Sequence, residues 1–266
     1  MVEGRIRVPS PRVWAVPALA AIAAAGIVLA RADVPLFLAI NHSVLGSLGG
    51  LWQNITVLGD GVVAMAMMLA LYRRRPDLFW AAFIAAILVS LSIQFGKFVR
   101  PIPRPLGQLG HEAVRVIGEE FHNASFPSGH AATAFALAAI LWTAFRSPVA
   151  RALLVLAACL VALSRVVVGA HWPTDVLGGA AVGWLLGLAG LELARKTPWG
   201  CAKPVQALLA CLFAAAAIWI LAGYDTSYPA AQTFALGVGV ASLIAVAFTF
   251  VPRSNNGRMT RNGFGT

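Results

Sequence analysis

The residues with the greatest chemical capacity lie between Gly96 and Asp175, in three groups: Lys97 with Arg104-Pro105, then Pro127-Ser128-Gly129-His130, then Ser164-Arg165 followed by His171 and Asp175. Phosphoryl transfer needs a nucleophile, an acid for the leaving oxygen, and several cationic or backbone donors around the equatorial oxygens. This stretch holds a candidate for each role. His171 and Asp175 are four residues apart where Pro173 suits the first turn of a helix. The carboxylate can therefore lie near the imidazole, fix its tautomer and make it the better nucleophile. Alone, His-x-x-x-Asp is a weak signal.

Ser128-Gly129-His130 opens an apolar run, so unpaired backbone N–H groups and the positive end of a helix dipole make an anion site there. Gly129 lets an oxyanion approach the backbone, Ser128 adds a hydroxyl donor, and His130 is placed as a proton donor. Standing alone, the segment reads equally well as an N-cap followed by an interfacial histidine. Lys97, Arg104 and Arg165 supply cations, and arginine offers phosphate two parallel bonds where lysine offers a point charge. Pro101, Pro103 and Pro105 stiffen the loop that carries Arg104. Each cation alone would be an interfacial anchor, and it is their convergence with two histidines that favours an anion site.

The elements that must position these groups are membrane helices. The chain of 266 residues is 59% hydrophobic and 11% charged, against about 25% charged in an ordinary soluble domain, and its mean hydropathy is +0.80. Apolar runs of about 17 to 22 residues recur, each able to cross roughly 30 Å of hydrocarbon as a helix, and the short alternating segments of a β-barrel do not occur. The expected spans lie near 13–31, 55–72, 78–97, 129–146, 149–168, 174–194, 204–222 and 231–251. The fold class expected is all-α, a polytopic transmembrane helix bundle. The first run follows Arg5, Arg7 and Arg12 but exceeds the roughly 7 to 15 residues of a signal-peptide core, so it is expected to be retained. Between the first two spans, Val34 to Trp52 carries Leu36, Phe37, Ile40, Val44 and Leu48 at helical spacing, which suits an interfacial amphipathic helix.

Fourteen of the twenty Lys and Arg residues fall in the termini and in alternate loops, around Arg73, Arg146 and Arg195. By the positive-inside rule those segments are cytoplasmic. The exceptions are Arg31, an interfacial anchor, and Lys97, Arg100, Arg104, Arg115 and Arg165, all in the central stretch. The expected topology puts both termini in the cytoplasm and the central loops outside. Gly179, Gly183 and Gly187 put a small residue every four positions along one face, a spacing that permits close helix packing in lipid. Cys159, Cys201 and Cys211 have no metal-ligand or disulfide spacing and read as small core residues. The net charge of +10 comes with no water-soluble basic module, so no nucleic-acid partner is expected. No linker or repeat divides the chain. The membrane core is placed at 1–200, additional helices at 201–252 and a polar tail at 253–266.

The order and spacing Lys97-x6-Arg104-Pro105, Pro127-Ser128-Gly129-His130 and Ser164-Arg165-x5-His171-x3-Asp175 resemble the tripartite signature of the type-2 phosphatidic acid phosphatase superfamily. Every signature position is matched, and the resemblance covers the six spans from 13 to 194. It implies a six-helix phosphatase core, with about two extra C-terminal spans beyond it. It also implies a phosphohistidine formed on His171, Asp175 as its orienting partner, and His130 as the acid. Lys97, Arg104, Ser128, Gly129 and Arg165 would bind phosphate, with no metal and no cofactor.

The substrate implied is a membrane lipid phosphate, first of all a polyprenyl diphosphate of the undecaprenyl type, handled at the outer face of a bacterial inner membrane. Phosphatidylglycerophosphate, phosphatidic acid and lipid A phosphates are alternatives. A lipid phosphotransferase shares this chemistry. A lipid or ion transporter would instead carry its charges near span midpoints. His42, His111 and His122 are expected to be solvated loop residues, and Glu112, Glu119 and Glu120 to point outward or pair with Arg115. The oligomeric state is left open by the sequence.

Overall fold

A computed structural model of the protein describes residues 11–43 and 48–249. The expected polar tail at 253–266 lies outside the described residues, as does Val44 of the expected interfacial helix.

Among the described residues all regular structure is helical. The helices are α1 Ala15–Leu29, α2 Asp33–Asn41, α3 Gly49–Val57, α4 Gly61–Met68, α5 Pro76–Val99, α6 Pro105–Leu109, α7 Gly129–Trp142, α8 Pro148–Val167, α9 Pro173–Lys196, α10 Lys203–Ala222 and α11 Gln232–Ala247. Six helical segments are long and apolar enough to cross a membrane: 11–29, α5, α8, α9, α10 and 229–247. Proline occupies the first turn of α5, α8, α9 and α10, where its missing N–H costs no helical bond and its fixed φ favours helix entry.

The spans expected at 55–72 and 129–146 differ from that pattern. The first is a pair, α3 and the α4 segment running on to Leu71, bent by 61°. The bend comes at Asp60, whose carboxylate caps α4 by accepting from the amides of Val62 at 2.9 Å and Val63 at 3.1 Å. Asp satisfies orphan amides best at a helix start, so it begins a new helix there. The second, α7, has 14 residues, about 21 Å at 1.5 Å per residue, and is held among the longer α5, α8 and α9.

The interfacial helix expected over 34–52 ends at Asn41, and Gly49 already belongs to α3. Asn41 is fully buried and its side chain bonds the backbone of Arg115 in both directions and the carbonyl of Val167. This ties α2 to the end of α8 and to the long loop before α7. The carboxylate of Asp33 accepts from the amide and hydroxyl of Thr174 at 3.0 and 2.6 Å, capping α9 from a neighbouring helix. Burial pushes the Asp33 carboxyl above the usual range.

α9 is the central helix, packed on α7, α5 and α1. Trp184, fully buried at its middle, donates to the carbonyl of Val13 at 2.7 Å and meets Trp142 edge-on. Gly179, Gly183 and Gly187 face the backbone of α7 at Ser128, Ala132 and Ala136 so closely that a Cβ on any of them would overlap it. The glycine column thus does the close packing its spacing predicts. α10 and α11 pack on each other and on α4, with Phe213 of α10 set edge-on to Phe79 of α5.

The cysteines correct an expectation. All three are free, and Cys159 and Cys211 are exposed on helix faces rather than in the core. In lipid the outer surface is as apolar as the interior, so composition does not separate the two.

Candidate active site

The helix ends bring the three sequence groups together around a cavity of about 250 Å³, lined by Lys97, Arg104, Gly129, His130, Arg165 and His171. Lys97 is in the last turn of α5, Gly129 and His130 open α7, and Arg165 is in the last turn of α8. The charges sit at span ends, not at midpoints.

Local structure fixes each group. The turn from α8 to His171 passes through Gly169 at φ +81°, packed on the carbonyl of Arg115, a conformation only glycine adopts without strain. Arg104 donates from Nε to the carbonyl of Asn123 at 3.0 Å and from Nη1 to that of Ala170 at 3.1 Å, and lies over the Phe121 ring. Burial, and then the neighbouring Arg165, push its guanidinium pKa down to about 10. Arg165 is 2% exposed. Its Nη1 donates to Thr56 Oγ1 at 2.8 Å and to the Tyr228 hydroxyl at 2.6 Å.

His171, also buried, has Nδ1 3.4 Å from Asp175 Oδ2. That oxygen also accepts from Ser125 Oγ and from the amide of Trp172 at 2.9 Å. Asp175 therefore has a structural task as well, closing the first turn of α9. With Nδ1 turned to the carboxylate, Nε2 is the other nitrogen of the ring and the candidate nucleophile. Burial, with Arg104, Arg165 and Lys97 nearby, holds His171 well below the usual histidine range, so its imidazole is neutral.

Ser128 and Asp175 do not line the cavity but back it. The amide of Ser128 donates to the carbonyl of Asp175 at 3.1 Å, which joins the second motif to the third. Two buried groups of the site have no hydrogen-bond partner among the described residues: Ser128 Oγ and Arg165 Nε. Buried donors left unpaired cost about 1–3 kcal/mol each, and an anion beside them would remove that cost.

Several contributors carry no sequence signal of their own. Ser125 is fully buried against Asp175, Thr56 comes from the bent second span, and Tyr224, Thr226, Ser227 and Tyr228 come from the α10–α11 loop. Asp60 and Glu119 also line the cavity. Glu119 is exposed, as expected, and pairs not with Arg115 but with Ser227, its Oε2 accepting from Ser227 Oγ at 3.0 Å at the cavity's edge. His42, His111 and His122 are exposed, as expected.

A family model described as PAP2 superfamily matches residues 94–199, the interval holding all eight phosphate-site candidates. The decaprenylphosphoryl-5-phosphoribose phosphatase of Mycobacterium tuberculosis is 32% identical over 141 residues, which is 51% of this chain and 75% of that protein. The chain belongs to the PAP2 superfamily. An undecaprenyl-diphosphatase of Sulfolobus acidocaldarius is 29% identical over 158 residues, 58% of this chain and 73% of its own length.

A lipid A 1-phosphatase of Porphyromonas gingivalis is 46% identical over 81 residues, but the shared stretch is only 18% of that protein. The crystal structure of Aquifex aeolicus LpxE superposes with a TM-score of 0.55 at 29% identity, covering 60% of this chain and 94% of that one. The PAP2 match ends before α10. It also begins after α4, so Asp60 and Tyr228, which line the same cavity, both lie outside it.

Proposed function

We propose that the protein is an integral membrane phosphatase, metal-independent, that hydrolyses a lipid phosphate or a polyprenyl diphosphate of the undecaprenyl type. The observation that carries this reading is the meeting of Lys97, Arg104, His130, Arg165 and His171 in one cavity backed by two unpaired buried donors. On binding, the phosphate's own proton passes to His130; His171 Nε2 then attacks phosphorus and the bond to the leaving oxygen breaks, while His130 gives that oxygen its proton. Water then attacks the phosphohistidine, its proton passes to His130, and inorganic phosphate leaves. Lys97, Arg104, Arg165, Ser128 and the amide of Gly129 hold the equatorial oxygens, supplying the positive field that metal ions supply in kinases.

A second cavity of about 240 Å³, lined by apolar residues of α4, α5, α7 and α10 such as Met65, Val89, Leu137 and Phe213, shares Asp60 with the polar one. It supports a substrate whose tail stays in an apolar environment. The names of the relatives point the same way, to polyprenyl and lipid A phosphates. We place the phosphatase core at 1–200 with additional helices at 201–252, in an inner membrane with the site at its outer face.

The test is phosphate release by the purified protein from undecaprenyl diphosphate, a lipid A 1-phosphate and phosphatidic acid in excess chelator, without a lipid acceptor. Release from at least one is expected. Activity that chelation abolishes and magnesium restores would contradict the metal-free mechanism, and transfer only to an added lipid alcohol would make the protein a phosphotransferase.

A further inference from the structure

The α10–α11 loop lies outside the PAP2 match, yet it forms one wall of the phosphate cavity. It is pinned from several sides. Tyr224 donates to Asp60 Oδ2 at 2.8 Å, Ser227 to Glu119, and the amide of Ala230 to Gln53 Oε1 of α3 at 2.9 Å. Gln232 closes the loop on itself through the carbonyl of Tyr224. Tyr228, held at 4% exposure, is thus fixed before any ligand arrives, which is what a preorganised binding group requires.

The contact from Arg165 Nη1 to the Tyr228 hydroxyl has a fixed direction. A guanidinium only donates, so the phenolic oxygen accepts, and its own hydrogen is left to donate. No protein acceptor takes that hydrogen among the described residues. The same contact, with Thr56, occupies Nη1 of Arg165. The Nε–Nη2 edge, whose Nε is buried and unpaired, is left for the two parallel bonds that arginine makes to phosphate.

We propose that Tyr228 is a phosphate-binding residue of this site. It donates its phenolic hydrogen to a phosphoryl oxygen and holds Arg165 with its bidentate edge toward the same group. The proposal rests on the phosphatase reading and gives the two C-terminal spans a task, since the site is incomplete without the loop they carry.

The test is Tyr228→Phe in the full chain, which keeps the ring packed on Gly118 and removes only the hydroxyl. Two quantities are read: kcat/KM for p-nitrophenyl phosphate, and stabilisation against heat by orthovanadate, which needs no turnover. kcat/KM, and the vanadate affinity obtained from that stabilisation, should each fall about 10- to 100-fold, as expected for a bond to a charged acceptor, with the ligand-free unfolding midpoint unchanged. Equal kcat/KM and equal vanadate affinity in a folded variant would overturn the proposal. A wild type that is inactive on every phosphate ester but stabilised by vanadate in a Tyr228-dependent way would overturn the phosphatase reading and leave the anion site standing.

If the phenylalanine variant fails to fold, 2,3,5-trifluorotyrosine at position 228 serves instead, because fluorination moves the phenol's ionisation toward neutral pH. Vanadate affinity should then fall as pH rises through that ionisation. A pH dependence identical to wild type would overturn the proposal.

Discussion

Gly183 of α9 lies against Ala132 of α7 so closely that a Cβ at 183 would overlap the carbonyl oxygen and α-carbon of Ala132. One turn earlier on each helix, Gly179 meets Ser128 in the same way, and the Ser128 amide bonds the Asp175 carbonyl. Helix contact and active-site geometry are therefore the same structural fact. The spacing of His130 from His171 depends on two backbones approaching as only glycine allows.

Gly183→Val is expected to destabilise the bundle by about 1–3 kcal/mol or more through overpacking, and to remove activity by parting the two histidines. Gly26→Ala in α1 is the control, since nothing lies within 4 Å of a Cβ there, and it should change stability by less than about 1 kcal/mol. Thermal unfolding in detergent measures both. Equal midpoints for the two variants would show that the close approach is not needed.

The depressed pKa of His171 fixes the sign of the pH response. Its imidazole is already neutral below the usual histidine range, so the nucleophile stays available as pH falls through about 6.5. With p-nitrophenyl phosphate, whose phenolate needs no proton, and after correction for the separately measured ionisation of the ester, the acid limb of kcat/KM should lie below that value. For folding, the unfolded chain binds the proton that the folded one refuses, so this group's contribution to stability is lost as pH falls through its unfolded pKa. An acid limb centred at or above 6.5 that His171 controls would contradict the assignment.

The proposed orientation rests on the distribution of basic residues. A single cysteine placed at Gln108, in α6 beside the cavity loops, should react with an impermeant maleimide added to intact cells. Reaction only after permeabilisation would put the site on the cytoplasmic side.

The clustering of the candidate residues was legible because phosphate chemistry demands side-chain types at spacings that helix ends impose. Lys97, His130, Arg165 and His171 are placed by span boundaries, and those boundaries show in the hydropathy. The glycine column was legible for a related reason, since a small residue every fourth position has one geometric meaning on a helix. The bend at Asp60 was missed although its signal was present: a capping residue between Gly59 and Gly61 inside an apolar run.

Other features left no local trace. Tyr228 is an aromatic residue in a short loop, and what makes it part of the site is the fold of two helices on α4. The outward placement of Cys159 and Cys211, and the pairing of Glu119 with Ser227, depend on tertiary packing that periodicity does not encode.

The most direct test of the account asks whether phosphate becomes bonded to His171. His130→Ala, given labelled p-nitrophenyl phosphate, should release the phenolate without needing the missing acid but lack the base that activates water. General acid–base catalysis is worth about 10²- to 10⁴-fold, so the covalent intermediate should accumulate. Rapid quenching at alkaline pH and mass spectrometry should find the label on the peptide bearing His171, and His171→Ala should carry none. Label on another residue, or steady turnover by His171→Ala in a folded protein, would contradict the account.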